Sequence, residues 1–117
     1  MSANASPAET RPRETLFLLT CEDAPDSAEL RALHMRGHLA HIERHIDRIM
    51  VAGPALDRNG TIHASVFVVR AGDEADARAL LAADPYYRGG VWSQVAVRCF
   101  RGVCGTGMGG VTWESVL

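Results

Sequence analysis

No stretch of the 117-residue chain holds eighteen consecutive apolar residues, so the sequence offers no transmembrane helix. The N-terminal MSANASPAETRPRET lacks the apolar centre of a secretory signal; residues 1–14 read as a disordered leader, and a cytoplasmic location is expected. Cysteines number three, Cys21, Cys99 and Cys104, with no CxxC pair and an odd count, which favours free thiols over a disulfide framework. Cys21 and Cys99 lie in apolar strand-like runs and are expected to be buried and inert. Excess charge of either sign is also missing. The formal net charge is -2, with acids and bases interspersed, which excludes a general nucleic-acid footprint. What is present is ordinary for one soluble globular domain: 47% hydrophobic and 22% charged residues.

The periodicities alternate between strand and helix. TLFLLTC from Thr15 is a short apolar run of strand type. Ser27 then suits a helix N-cap for AELRALHMRGHLAHIERHI. RIMVAG reads as a second strand ended by Gly53-Pro54, and Asn59-Gly60 marks a tight hairpin turn into TIHASVFVVRA. Asp73 can cap the helix DEADARALLAAD, and VWSQVAVRCF alternates as a fourth strand. The order βαββαβ predicts an α+β, ferredoxin-like domain: an antiparallel four-stranded sheet with two helices on one face. Apolar residues on both sides of the first and third strands imply that a second subunit covers the other face, hence a homodimer. The domain is expected over residues 15–103, with a glycine-rich tail over residues 104–117. In that tail Gly105, Gly107 and Gly110 spell GxGxxG, but no βαβ unit surrounds them, so no dinucleotide site is expected. Trp113 and Leu117 could dock the tail across a partner subunit.

Four of the five histidines fall within HMRGHLAHIERH: His34, His38, His41 and His45, spaced four, three, four. On a helix they span an arc of roughly 60°. Met35, Leu39, Ile42, Ile46 and Ile49 lie beside that arc as the expected core-facing stripe. His34/His38 and His41/His45 are each i, i+4 pairs that could share a zinc ion. A metal site would need further ligands, such as His63, Asp57, Asp84 or a partner's helix, and nothing in the sequence draws these together. The expectation is therefore no metal and no cofactor, with one working histidine on an amphipathic edge.

His38-Leu39-Ala40, Ala52-Gly53-Pro54-Ala55-Leu56-Asp57, Ala64-Ser65, Asp84-Pro85-Tyr86 and Gly90-Val91 occur in this order from about Leu16 to Phe100. In this combination the chain resembles the YCII-related (YciI-like) family. The resemblance implies a ferredoxin-like fold that pairs as a dimeric α/β barrel, with an active site built on a histidine-aspartate pair. It assigns the motif histidine to His38, the aspartate after Gly-Pro to Asp57, the glycine-serine to Ala64-Ser65 and the DPY to Asp84-Pro85-Tyr86. The family includes a dehydrochlorinase of chlorinated hydroxyhydroquinone, while most members have no known reaction. Two departures stand out. The motif's Arg-Pro before the histidine is replaced by Met35-Arg36-Gly37, and Ala64 follows an unusual His63.

The expected function is a small cofactor-independent enzyme doing acid-base chemistry of lyase or isomerase type on a small phenolic or cyclic molecule. His38 would move the proton, Asp57 or Asp84 would orient it, and Ser65 would donate to a substrate oxygen. Arg36, His63 and Tyr86 are candidate substrate contacts, although Tyr86, like Trp92, reads first as packing. The alternatives are a small-ligand-binding protein without turnover, or a metal-binding protein using His34, His38, His41 and His45.

Overall fold

A computed structural model describes residues 15–111. The elements are β1 (Thr15–Asp23), α1 (Ser27–Arg44), a 3₁₀ turn (Ile46–Arg48), β2 (Ile49–Leu56), β3 (Ile62–Arg70), α2 (Glu74–Ala82), α3 (Pro85–Arg88) and β4 (Trp92–Arg101). A small hairpin of β5 (Cys104–Gly105) and β6 (Gly110–Val111) follows. The sheet runs β2-β3-β1-β4, and all its pairings are antiparallel. This is the ferredoxin-like α+β architecture that the periodicity predicts. The leader, Trp113 and Leu117 lie outside the described residues. The tail glycines Gly105 and Gly110 pair across the β5–β6 hairpin, with a 3₁₀ turn between the two strands.

Strand alternation sorts the two faces. Phe17, Leu19 and Cys21 of β1 and Phe67 and Val69 of β3 point to the helices, where they meet Ala77, Leu80 and Leu81 of α2 and Tyr86, Val91 and Trp92. The opposite face carries Leu18, Thr20, Val66, Val68 and Ala96. Leu18 pairs with Val68 and Arg98, and Thr20 with Val66 and Ala96. Val51 on this side is 61% exposed.

Several local expectations are corrected. Ser27 is the first residue of α1 rather than its cap; Asp26 precedes the helix with φ 60°, and Ser27 Oγ donates to Asp23 Oδ2 at 2.7 Å. β2 does not stop at Gly53-Pro54 but runs to Leu56. As an edge strand it can carry a proline whose missing N–H faces away from the ladder. Asp73 caps α2 as expected, accepting from Asp76 N at 2.8 Å. Cys99 is exposed towards the end of β4, whereas Cys21 is buried, and burial pushes its thiol up to about 12.

The stripe on α1 is the larger correction. Met35 and Leu39 are each 49% exposed and Ile46 60% exposed, so they are not the core-facing row. Ile42 and Ile49 of that stripe do pack against the core, as does Leu30. Beside them a polar row also turns inward: Ser27, Arg31, His34, His38, His41 and His45, spaced four, three, four, three, four, the interval of a helix-packing seam. Ser27 and His41 are the buried residues of this helix.

Candidate functional site

The site is made where α1 meets α3, and that approach begins with glycine. A Cβ at Gly37 would lie 3.0 Å from Pro85 Cγ, and one at Gly89 would fall 2.3 Å from the His34 ring. These two small residues let α3 close on the histidine face of α1. Asp84, at the entrance to α3, is thereby carried against His38.

Asp84 is 1% exposed, and its carboxylate meets two donors. Tyr86 N donates to Oδ1 at 2.8 Å, capping α3, and His38 Nδ1 lies 2.9 Å from Oδ1 and 2.8 Å from Oδ2. An ionised carboxylate only accepts, so the ring proton of neutral His38 sits on Nδ1. That leaves Nε2 as a free base, with no hydrogen bond to it among the described residues. The imidazole lies flat on Tyr86, with ring centroids 3.8 Å apart at 7°, and meets the edge of Trp92 at 6.4 Å. Tyr86 and Trp92 also meet edge to face at 5.8 Å. Aromatic packing on two sides fixes the ring plane, which a general base requires.

Opposite this pair lies a residue that the sequence reading did not single out. Arg31 grips Asp23 through Nε and Nη2, both at 2.8 Å, and donates from Nη2 to Ser65 Oγ at 2.9 Å. Its guanidinium sits 5.2 Å from the Tyr86 ring centroid. Burial would raise the Asp23 carboxyl, but hydrogen bonds from Arg31 and Ser27 outweigh it and hold the group below the usual carboxylate range. For the Tyr86 phenol, burial wins over the neighbouring Arg31 and pushes it up, keeping it neutral. Trp92 Nε1 also donates to Ser65 Oγ, at 3.3 Å. With two donors filling its lone pairs, Ser65 has only its own O–H proton left to offer a ligand. A signal for Arg31 existed in the sequence: it stands seven residues, two helical turns, before His38 and continues the histidine spacing.

These groups line one cavity of about 350 Å³. Its polar side is Arg31, His38, Ser65 and Tyr86; its apolar side includes Met35, Leu39, Ala52, Pro54 and Ile62. Exposed Met35 and Leu39 thus edge a cavity instead of filling a core.

The other sequence-named residues fall elsewhere. Asp57 is exposed in the β2–β3 turn, where its Oδ1 accepts from Asn59 N at 2.8 Å and Thr61 N at 3.0 Å; those backbone donors hold its carboxyl low. Of the two candidate aspartates, Asp84 is the one beside His38. Arg36 is exposed on α1 and does not line this cavity, and exposed His63 borders a neighbouring hollow that includes Arg31. His41 is buried, and its Nε2 bonds Leu80 O at 2.9 Å; its ring meets His45 at 4.7 Å. Among the described residues no group of three or more His, Cys, Asp or Glu side chains could hold a metal ion, so His34, His38, His41 and His45 do not converge as the metal alternative requires. The reason is that His38 faces Asp84, while His41 faces a backbone carbonyl.

A family model described as YCII-related domain matches residues 15–101. No curated protein matches the chain. Among solved structures, the fold is similar to 5-chloro-2-hydroxyhydroquinone dehydrochlorinase (TftG) from Burkholderia phenoliruptrix AC1100, in complex with 2,5-dihydroxybenzoquinone. The TM-score is 0.66 and the identity 25%, covering 78% of this chain and 96% of that one. No described helix is long and apolar enough to cross a membrane.

Proposed function

The chain belongs to the YCII-related family, and from that premise we propose that it is a small-molecule enzyme performing acid-base chemistry of lyase or isomerase type on a hydroxylated ring, without a cofactor. The observation that carries this reading is the His38–Asp84 contact at 2.8 Å beside a cavity of about 350 Å³. His38 Nε2 takes a proton from a ring hydroxyl. The freed electron pair forms a ring carbonyl, and the ring carbon that bears the leaving group takes the proton back from the imidazolium and becomes tetrahedral, which is the isomerase step. In a lyase step His38 then takes the proton of a second, conjugated ring hydroxyl, whose electron pair forms another carbonyl and expels the leaving group with its bonding electrons from that tetrahedral carbon. Asp84 stabilises the imidazolium, a task worth on the order of 10²- to 10⁴-fold in rate for a positioned acid-base group. The Ser65 hydroxyl, oriented by Arg31 and Trp92, meets the substrate oxygen, and Tyr86 forms the floor under His38. The similarity to a dehydrochlorinase complexed with a dihydroxyquinone supports a hydroxylated, quinone-forming substrate class.

The functional unit proposed is a homodimer joined through the sheet face opposite the helices, that of Leu18, Val66 and Val68, in the manner of a dimeric α/β barrel. A ligand-holding role without turnover has one observation in its favour: apolar Met35 edges the cavity, and Arg36 lies outside it, where the family motif carries Arg-Pro. Turnover of a panel of halogenated hydroxyhydroquinones, measured with wild type and His38→Ala, separates the two. The enzyme reading expects turnover that falls at least a hundredfold in the variant, with the fold and 2,5-dihydroxybenzoquinone binding retained. Equal rates in both proteins would remove His38 from the reaction.

A further inference from the structure

Arg31 and Ile62 border two cavities at once. The inner one, about 350 Å³, contains His38 and Ser65; the outer one, about 700 Å³, opens between the first turn of α1 and the β2–β3 turn. Building on the ring site proposed above, we infer that the preferred ligands have two parts: a hydroxylated ring in the inner cavity and an uncharged aryl or branched alkyl arm in the outer one.

The outer cavity's chemistry favours an uncharged arm. Ala24, Pro25, Ala28 and Ile62 give it apolar walls. Its floor holds two opposite charges, but they are spent on each other. Both oxygens of Asp23 are taken by Arg31 at 2.8 Å, and Ser27 Oγ adds a third bond at 2.7 Å. Apart from His63, which is exposed to water and so adds little, a charged arm would have to break that bidentate pair to gain a counter-charge, losing more than it gains. The exposed Asp26 on the rim repels an anion and, being fully solvated, adds little for a cation. An apolar arm needs no such exchange and leaves water by covering Ala28 and Ile62. The outer space is twice the inner one and meets it at Arg31 and Ile62, so a single ring placed against His38 leaves the outer space unfilled.

Ala28 allows a clean test, because it is exposed in the first turn of α1 and borders only the outer cavity. Ala28→Phe fills that space without touching His38, and Ala28→Ser serves as a control that keeps it open. Isothermal titration of 2,5-dihydroxybenzoquinone and its 3-phenyl derivative gives the readout. The phenyl derivative should bind wild type and Ala28→Ser on the order of tenfold tighter than the parent. Ala28→Phe should erase that gain while leaving the parent's affinity within about twofold. Equal affinities in wild type, or a gain that survives in Ala28→Phe, overturn the two-part site while the ring site stands. If neither quinone binds wild type, the ring-site reading fails and this inference falls with it.

Discussion

His38 Nδ1 lies 2.9 and 2.8 Å from the two oxygens of Asp84, a residue forty-six positions further along the chain and 1% exposed. The same carboxylate caps α3 through Tyr86 N. One buried group therefore fixes both the histidine tautomer and the turn that carries the aromatic floor. Asp84→Asn should separate these roles. Asparagine still caps a helix, so the melting temperature should move by only a few degrees. Its amide can donate to Nδ1, however, and so stabilise the tautomer whose Nε2 is protonated. Turnover should then fall by about 10²- to 10⁴-fold at neutral pH. An undiminished rate in a folded Asp84→Asn protein would mean that His38 works without its carboxylate.

Arg31 should resist its conservative replacement. Lysine keeps the charge but not the fork that holds both Asp23 oxygens and Ser65 Oγ together. The side chains of this pair are 13% and 6% exposed, so damaging it should cost on the order of 1–3 kcal/mol of stability. The Ser65 hydroxyl also loses an orienting donor. Arg31→Lys is expected to raise the dissociation constant for 2,5-dihydroxybenzoquinone about tenfold, measured by calorimetry beside a urea titration. Weaker folding with unchanged ligand affinity would limit Arg31 to a structural role.

These two residues also mark how far the sequence could be read. Strand alternation, the Asn59-Gly60 turn and the Asp73 cap made the βαββαβ order legible, and the resemblance singled out His38. Sequence alone left Asp57 and Asp84 equivalent, because both stand at turns and a turn's direction depends on what packs behind it. Here Gly37 and Gly89 decide it, by letting α3 reach α1. The helix face was misread because hydrophobicity does not distinguish a core from a cavity wall. Met35 and Leu39 edge the cavity, while histidines with hydrogen-bond partners turn inward. The 4-3-4 histidine spacing held the correct face, and extending it back to Arg31 and Ser27 would have exposed the missing residue.

His41 should make the fold sensitive to mild acid. Burial lowers its affinity for protons below that of an ordinary imidazole, and in the neutral ring Nε2–H donates to Leu80 O. The unfolded chain protonates this residue near the ordinary imidazole value of 6.5, whereas the folded one does so only at lower pH. Between those points the unfolded state binds more protons, so this contribution is fully present above pH 6.5 and is lost as pH falls through the lowered folded value. Gln in place of His41 keeps an N–H donor that cannot titrate. Melting temperatures at pH 7.5 and 5.0 should show a smaller acid-induced drop in His41→Gln than in wild type. Equal drops would assign the acid sensitivity to other groups.

The sheet face opposite the helices gives the last test. Leu18 stands across from Val68, Thr20 from Val66, and Val51 on the neighbouring strand is 61% exposed. None of them belongs to the core cluster between sheet and helices, so a charge placed among them should spare the monomer's fold. In a dimer the same charge would be buried against apolar residues with no partner, at a cost of several kcal/mol on each side of the symmetric interface. Wild type, with a chain of 12.6 kDa, should elute with light-scattering mass of a dimer, and Val68→Asp should be monomeric with an unchanged circular dichroism spectrum. A Val68→Asp protein that stays dimeric would move the interface elsewhere. A monomeric variant that keeps full turnover would mean that the cavity beside His38 is complete within one chain; a monomer that loses turnover would mean that the partner subunit helps to form it.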